Sequence, residues 1–287
     1  MSFIRANAER LNRVAESFED DTSRSIYADL WAYRALGPGH VRLAKANSDY
    51  LSLFDKAREQ RVGDSAFEFP PFEVHRYATS TGIVDCWLGN VIAVLEGQYW
   101  FERDGIRIAP ETAEVVIDGG ACFGDTAIAF AEAVGPDGHV HAFEPLASQL
   151  KIVEHNLKAN PSVADRITVH QFALDEVSGR ELHFSQGAGA HPVTSGERVE
   201  TRALDDLELE RVNYIKLDIE GAESACLRGA ANTIRRCRPK LGISIYHSME
   251  DMIALPLLVR EIEPGYRLYI DHHTIHSEET VLYAVHG

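Results

Sequence analysis

The stretch that decides the fold is Val115-Val116-Ile117-Asp118-Gly119-Gly120-Ala121-Cys122-Phe123-Gly124, in which a short apolar run meets a glycine-rich turn. The apolar run predicts a buried strand, and Thr126–Val134 beyond the turn predicts a helix. Glycines in such a turn allow a tight bend and bring the backbone and the helix N-terminus close to a ligand. The turn does not match GxGxxG, and a carboxylate at Asp118 would repel a pyrophosphate. We therefore expect a ligand that is cationic or carries an amine.

From about residue 113 onward, short apolar runs alternate with helical stretches. Strands are predicted at Val115–Ile117, His139–Phe143, Ile167–Phe172, Tyr214–Leu217 and Leu241–Tyr246, and helices at Thr126–Val134, Gln149–Asn160 and Gly221–Arg235. Apolar strands separated by helices imply a parallel sheet that is covered on both faces, which is an α/β fold. Two strands with only a short polar connection, Tyr266–Ile270 and Thr280–Val285, then predict a C-terminal antiparallel hairpin.

The first 110 residues do not show this regular alternation of strands and helices. They predict a mainly helical N-terminal region with connecting strands. Helices are predicted over about 4–18, 24–36 and 41–59, and short strands at Val84–Trp87 and Ile106–Ile108. We therefore divide the chain into a helical N-terminal cap with connecting strands, residues 1–110, and an α/β domain, residues 111–287.

Composition and charge narrow the class of protein. With 45% hydrophobic and 25% charged residues, the 287-residue chain has the composition of an ordinary soluble globular protein. Its 28 Lys and Arg against 44 Asp and Glu leave a net charge of −16, which argues against a nucleic-acid partner. No apolar stretch of membrane-spanning length, no secretory pattern and no CxxC pair is visible. We expect a cytoplasmic protein that binds neither nucleic acid nor membranes.

Acidic residues follow the second and third predicted strands. Glu144 lies twenty residues after Gly124, where an acidic side chain can accept hydrogen bonds from both hydroxyls of a ribose. Asp175 follows the third strand and is placed to bind an adenine amino group, with Ala173 and Leu174 beside the ring. Read alone, Asp175 is as well explained as an ordinary loop carboxylate.

Three more acids follow the strand Tyr214–Leu217. Asp218, Glu220 and Glu223 fall within six positions, at the edge of the sheet where open α/β proteins bind ligands. Asp218 and Glu220 can contact the cation of a ligand, bind a metal or take a proton. Glu223 has the simpler alternative of capping the next helix.

These pieces together resemble the FkbM-type methyltransferases, which depend on S-adenosylmethionine. The matching segments, in the order of the family and within about residues 113–285, are Ile117–Gly124, Ala142–Pro145, Ala173–Glu176, Thr201–Asp206 and Ile215–Glu223. The resemblance implies a Rossmann-like, seven-stranded sheet with a reversed last strand. It also implies S-adenosylmethionine at the glycine turn, bound by Asp118, Gly119, Gly120, Ala121, Gly124, Glu144, Asp175 and Asp218.

The resemblance further implies O-methylation of a small hydroxylated or glycosylated metabolite, of the sugar or natural-product type. An alkyl hydroxyl is a poor nucleophile, so a base is needed, and His247 after the Leu241–Tyr246 strand is the candidate because an ordinary histidine pKa suits that role. Asp218 and Glu220 complete the predicted catalytic set. Mg²⁺ held by Asp218 and Glu220 is an open alternative, and so is a transition metal in the loop Asp271–His276.

Other functions stay open at this stage. An NAD(P)-dependent oxidoreductase is disfavoured by the absent GxGxxG, and a non-catalytic cofactor-binding protein would carry the same motifs. The polar stretch Gly187–Gly196 reads either as a loop that closes over the substrate or as an exposed insertion. Three roles are open for the N-terminal aromatic residues: part of the core, a lid, or a homo-oligomer interface. These residues are Trp31, Tyr33 and Tyr50.

Overall fold

The N-terminal region combines helices with two small antiparallel sheets. The computed structural model describes residues 2–185 and 192–287. The elements of this region are α1 (Ser2–Ala6), α2 (Ala8–Ser17), α3 (Asp21–Leu36), α4 (Ser48–Glu59), β1 (Arg61–Asp64), β2 (Val74–Thr79), β3 (Gly82–Trp87), α5 (Leu88–Glu96), β4 (Phe101–Arg103) and β5 (Ile106–Ile108). Asp20 caps α3 by accepting the Ser23 N–H, as a side-chain oxygen at this position commonly does. The predicted helix over about 4–18 is divided into α1 and α2, and the one over about 41–59 begins only at Ser48. Elements β1, β2, β4 and α5 were not predicted.

The second part of the chain builds the central sheet. Its strands are β6 (Val115–Gly119), β7 (His139–Phe143), β8 (Ile167–His170), β13 (Tyr214–Leu217), β14 (Lys240–Ser244), β15 (Tyr266–His272) and β16 (Thr280–His286). Within the described residues they form one seven-stranded sheet in the order β15-β16-β14-β13-β6-β7-β8. Strand β16 pairs antiparallel with β14 and β15, while β14, β13, β6, β7 and β8 are parallel. The predicted α/β fold with a C-terminal antiparallel hairpin is confirmed.

Helices cover both faces of this sheet. They are α6 (Asp125–Val134), α7 (Ala147–Ala159), α8 (Pro161–Ala164), α9 (Glu223–Gly229), α10 (Ala231–Cys237) and α11 (Asp251–Ile262). The single helix predicted over Gly221–Arg235 is wrong, because the chain breaks between α9 and α10 at Ala230. At the end of α9 a Cβ on Gly229 would lie 2.2 Å from the Asp175 carbonyl oxygen, so only glycine lets these backbones meet. Helix α11 was not predicted.

The chain between β8 and β13 forms a second, smaller sheet. It contains β9 (Ala173–Leu174), β10 (Glu181–Phe184), β11 (Pro192–Val193) and β12 (Glu197–Arg202), in the order β11-β10-β12-β9. A 3₁₀ helix at Leu204–Leu207 follows. The sequence predicts a polar loop over Gly187–Gly196; residues 187–191 lie outside the described residues, and the remainder belongs to this sheet and its turn.

Buried side chains alternate between two hydrophobic clusters, one on each face of the central sheet. On β13, Ile215 and Leu217 belong to the cluster with α2, α3 and α11, whereas Tyr214 belongs to the cluster with α4 to α7. Because strand side chains alternate, Lys216 lies on the same face as Tyr214. Trp31 is buried within the first cluster, as expected for a core residue.

The N-terminal helices are attached to the end of the chain. The Tyr27 hydroxyl donates to the Met252 carbonyl at 3.1 Å, and Arg103 forms ion pairs with Asp20 at 3.3 Å and Asp271 at 3.1 Å. The boundary at residue 110 stays a prediction. None of the described helices is both long and apolar enough to cross a membrane.

Candidate active site

A cavity of about 1060 Å³ opens at the carboxyl ends of the parallel strands. Seven of the predicted site residues line it: Gly120, Ala121, Glu144, Asp175, Asp218, Glu220 and His247. They come together because the loops after β6, β7, β13 and β14 all leave the sheet at this edge. Three predicted cofactor residues, Asp118, Gly119 and Gly124, do not line the cavity. Their contact with a ligand stays a prediction.

Asp118 has a different environment from the one that the sequence predicts. Its side chain is fully buried, pairs with the Lys216 ammonium at 3.0 Å and accepts a hydrogen bond from Thr126 Oγ1 at 2.7 Å. Lys216 also donates to the carbonyls of Gly119 and Gly120 at 3.0 and 2.7 Å. The cation that Asp118 faces thus belongs to the protein. Through Lys216, Asp118 stabilises the glycine turn. The sequence analysis did not single out Lys216, although a lysine in the middle of a buried strand is a recognisable signal.

The glycine turn is shaped by close approach of the backbone. Gly120 has φ +80°, and a Cβ there would lie 1.9 Å from the Asp218 carbonyl oxygen. Gly124, also at positive φ, is the N-cap of α6. Since any side chain at position 120 would force the turn and the β13 loop apart, glycine is required for both to border one cavity.

Glu144 occupies the position after β7 with both carboxylate oxygens engaged. Oε2 accepts the Cys122 N–H at 3.0 Å and Oε1 accepts the Leu146 N–H at 2.9 Å. The side chain is 4% exposed, and burial raises the pKa of its carboxyl to about 8. Glu144 therefore links the glycine turn to the end of β7.

Asp175 lines the same cavity but is paired with Arg180, which the sequence analysis did not single out. Oδ2 contacts the Arg180 guanidinium, and Oδ1 accepts the Glu176 N–H at 2.7 Å. Apolar side chains of the small sheet, Ala173, Leu174, Leu182 and Phe184, lie around this end of the cavity. The surroundings combine an apolar wall with one fixed carboxylate.

Asp218 and His247 form the most highly charged part of the site. Asp218 accepts hydrogen bonds from the Tyr99 and Tyr246 hydroxyls at 3.1 and 3.2 Å. His247 Nε2 lies 3.3 Å from Asp218 and 3.6 Å from Glu220, and its Nδ1 lies 3.2 Å from the fully buried Glu223. Glu223 Oε1 also accepts the Ile219 N–H at 2.8 Å, so the imidazole is held on both sides.

These contacts change the pKa of His247, and an ordinary histidine pKa was the reason to assign it as the base. Burial alone would lower its pKa, but the carboxylates of Asp218 and Glu223 raise it to about 11. Burial would raise the pKa of Asp218, but His247 and Lys216 hold it well below its usual range. At neutral pH the imidazole is therefore protonated and unable to accept a proton, and the Asp218 carboxylate is ionised.

Of the two predicted metal sites, the one at Asp218 is changed in its members and the one in the loop Asp271–His276 does not form among the described residues. In the described part of the chain, the acidic and histidine side chains close enough together to share an ion are Asp218, Glu223 and His247, with ligand atoms within 4.8 Å. Glu220 is not in this group. The loop histidines do not converge either, because His272 hydrogen-bonds Thr280 at 2.8 Å and His273 hydrogen-bonds Tyr283 at 2.9 Å. Burial lowers their pKa values to about 4 and about 3, so both are neutral.

The N-terminal region supplies the other end of the cavity. Phe72 and Trp87 stack with ring centroids 4.1 Å apart, and Tyr50, Phe54 and Phe69 lie nearby on the cavity wall. The sequence carried no motif for this wall, because its residues are scattered over forty positions and meet only through tertiary packing.

Residues 118–276 match the model of the methyltransferase FkbM domain. The crystal structure of methyltransferase FkbM from Methylobacillus flagellatus KT superposes with a TM-score of 0.67 at 21% identity, covering 99% of this chain and 60% of that one. Aeropyrum pernix fibrillarin, solved with natively bound S-adenosyl-L-methionine, has a TM-score of 0.44 at 11% identity over 78% of this chain and 88% of its own.

The chain thus spans about three fifths of the Methylobacillus protein. No curated protein matches it. The family model covers more than half of the 287 residues and includes the glycine turn, Glu144, Asp175 and the Asp218 cluster. On that match, the chain belongs to the FkbM methyltransferase family.

Proposed function

We propose that this chain transfers a methyl group from S-adenosylmethionine to a hydroxyl of a small sugar or natural-product acceptor. The observation that carries the proposal is that one cavity brings together Gly120, Ala121, Glu144, Asp175 and Asp218, which come from four separate loops. In a member of the FkbM methyltransferase family, this is the arrangement that the sequence motifs predict for the cofactor.

The residues present fit that cofactor. We expect Glu144, which lines the cavity, to accept hydrogen bonds from a ribose, and Asp175 beside its apolar wall to bind the edge of an adenine. The ionised Asp218 favours a positively charged ligand group. S-adenosylmethionine supplies an activated methyl group on a positively charged sulfur.

The same cavity disfavours a dinucleotide. Among the residues described on its wall, the Lys and Arg side chains are Lys216 and Arg180, and each is already paired with a carboxylate. A pyrophosphate would therefore meet acids rather than free cations. This supports the methyltransferase over an NAD(P)-dependent oxidoreductase.

The aromatic end of the cavity supports an acceptor with a flat apolar face. The stacked rings of Phe72 and Trp87 offer a surface on which a sugar or an aromatic ring can pack. The Gln98 amide also lines the cavity and can bind a hydroxyl.

The decisive experiment is calorimetric titration of the protein with S-adenosylhomocysteine, run beside NAD⁺ and NADP⁺. We expect binding of S-adenosylhomocysteine in the micromolar range and none of the nicotinamide cofactors. Binding of a nicotinamide cofactor alone would overturn the proposal.

Methyl transfer is then measured with methyl-labelled S-adenosylmethionine on a panel of sugars and hydroxylated natural products. The assays are run with and without Mg²⁺, because the sequence leaves Asp218 and Glu220 open as its ligands. Cofactor binding without turnover of any acceptor would favour the non-catalytic alternative.

A further inference from the structure

We propose that Glu279, rather than His247, is the general base that removes the proton from the acceptor hydroxyl; this inference rests on the proposed function. Glu279 lies directly before β16 and borders the cavity. It is outside the matched domain, which ends at residue 276, and no motif in the sequence singles it out.

The backbone of Glu279 is held in an unusual conformation. Its φ of +58° lies in the left-handed region, which residues with a Cβ seldom occupy. Its carbonyl accepts the His273 N–H at 3.0 Å, so the turn is fixed in this form. An outlier of this kind at a cavity wall is a reason to look for a function in the side chain.

The side chain of Glu279 is oriented by fixed partners. Its Oε2 accepts a hydrogen bond from Gln98 Nε2 at 2.6 Å. Gln98 is itself buried, and its backbone carbonyl accepts a hydrogen bond from the Tyr283 hydroxyl. The second partner of Glu279 is the Tyr246 hydroxyl, whose single proton can be donated either to Asp218 or to Glu279. Glu279 is thus connected through one tyrosine to the most highly charged part of the site.

The protonation states favour Glu279 over its neighbours as a proton acceptor. Burial, followed by the negative charge of Asp218, raises the pKa of the Glu279 carboxyl to about 7. A base is most effective when its pKa is near the working pH. His247 is already protonated, and Asp218 binds a proton too weakly.

The proposed step balances as follows. The acceptor oxygen bonds to the methyl carbon while the carbon–sulfur bond breaks, and that electron pair stays on the sulfur. The hydroxyl proton passes to the Glu279 carboxylate, which leaves a neutral methyl ether, a neutral thioether and a neutral carboxyl group. Release of the proton to water restores the base.

The test compares two ligands that differ by one methyl group and one positive charge. We will measure the Kd of S-adenosylmethionine and of S-adenosylhomocysteine by calorimetry between pH 6 and 8.5, with no acceptor present. If Glu279 faces the methyl group, its ionisation attracts the sulfonium, so the preference for S-adenosylmethionine should rise with pH by about tenfold. Interactions with the parts that both ligands share cancel in the ratio of the two Kd values.

Several of the charged and titratable groups around Glu279 keep one protonation state throughout this window. Asp218 stays ionised, His247 stays protonated, and the pKa values of the neighbouring tyrosines are raised by burial; these are Tyr50, Tyr99 and Tyr246. Two other cavity acids do titrate, since burial raises the pKa of Asp125 to about 6 and that of Glu144 to about 8. A Glu279→Gln variant retains both, so their share of the pH dependence can be subtracted.

Three variants make the result specific. Glu279→Gln should lose most of the rise of the ratio with pH and keep only the share of Asp125 and Glu144, whereas Glu279→Asp should keep the full rise. Glu278→Gln, which removes the adjacent and more exposed acid of the same wall, should behave as wild type. A ratio that is flat in the wild type, or that rises as steeply in Glu279→Gln as in the wild type, overturns the base assignment alone. Failure of both ligands to bind the wild type overturns the proposed function and the base with it.

Discussion

His247 differs from an ordinary histidine because carboxylates surround its ring. Since its pKa is raised in the folded state, the stability from its ion pairs is fully present below pH 6.5. That stability is lost as the pH rises through about 11. The imidazolium therefore links Asp218 and Glu220 on the cavity wall to the buried Glu223 over the whole neutral range.

We expect His247→Gln to lower the free energy of unfolding by about 2–3 kcal/mol at pH 6, because it leaves Asp218 and Glu223 facing each other without a cation. The deficit relative to wild type should shrink steadily as the pH rises from 6.5 to about 11, because in that range the unfolded imidazole has lost its proton while the folded one still binds it. Urea unfolding of both proteins at pH 6, 8 and 10.5 checks this. A deficit that does not change with pH would show that the ring acts through packing alone.

Asp118 and Lys216 are a second pair whose role is set by burial. Removal of either partner leaves a lone charge in the interior, so Asp118→Asn and Lys216→Met should each cost about 3–5 kcal/mol. The double variant should lose clearly less than the sum. Denaturant unfolding of the three variants measures the coupling, and additive losses would contradict a direct ion pair.

The turn between β6 and α6 gives a prediction at the scale of an element. Gly120→Ala should abolish binding of S-adenosylhomocysteine, because its Cβ would lie 1.9 Å from the Asp218 carbonyl and push the turn from the β13 loop. Gly37→Ala is the matched control: Gly37 also has positive φ, +81°, but nothing lies within 4 Å of its Cβ position. It should lose about 1 kcal/mol of stability and bind normally. Equal effects would mean that backbone strain, not close approach, explains the glycine.

The same elements show how far sequence reasoning reaches. The acids after β7 and β13 could be placed at one edge because the ends of parallel strands fix where loops begin. Asp118 was expected to face a ligand because the sequence does not reveal that Lys216, nearly one hundred residues later, pairs with it. Glu279 and the Phe72–Trp87 wall could not be predicted, since their positions depend on how the hairpin and the N-terminal region pack against the sheet.

In the molecule as a whole, the N-terminal region completes the cavity that the sheet begins. Its attachment therefore matters for function as well as for stability. Arg103 on β4 is central to this attachment, because its half-buried guanidinium joins Asp20 before α3 to Asp271 and the Ile270 carbonyl on β15.

We expect Arg103→Met to lower the free energy of unfolding by about 2–3 kcal/mol, since two acids and a carbonyl lose their partner together. Arg107→Met provides the control from the same hairpin. Arg107 pairs with Glu111 at 3.1 Å with both side chains about half exposed, and such pairs contribute less than about 1 kcal/mol. Urea unfolding of the two variants, followed by tryptophan fluorescence, gives the comparison. If the N-terminal helices are held mainly by their apolar contacts with α11 and β15, the two variants will be equally stable; if Arg103 fastens them, it alone will unfold at clearly lower urea.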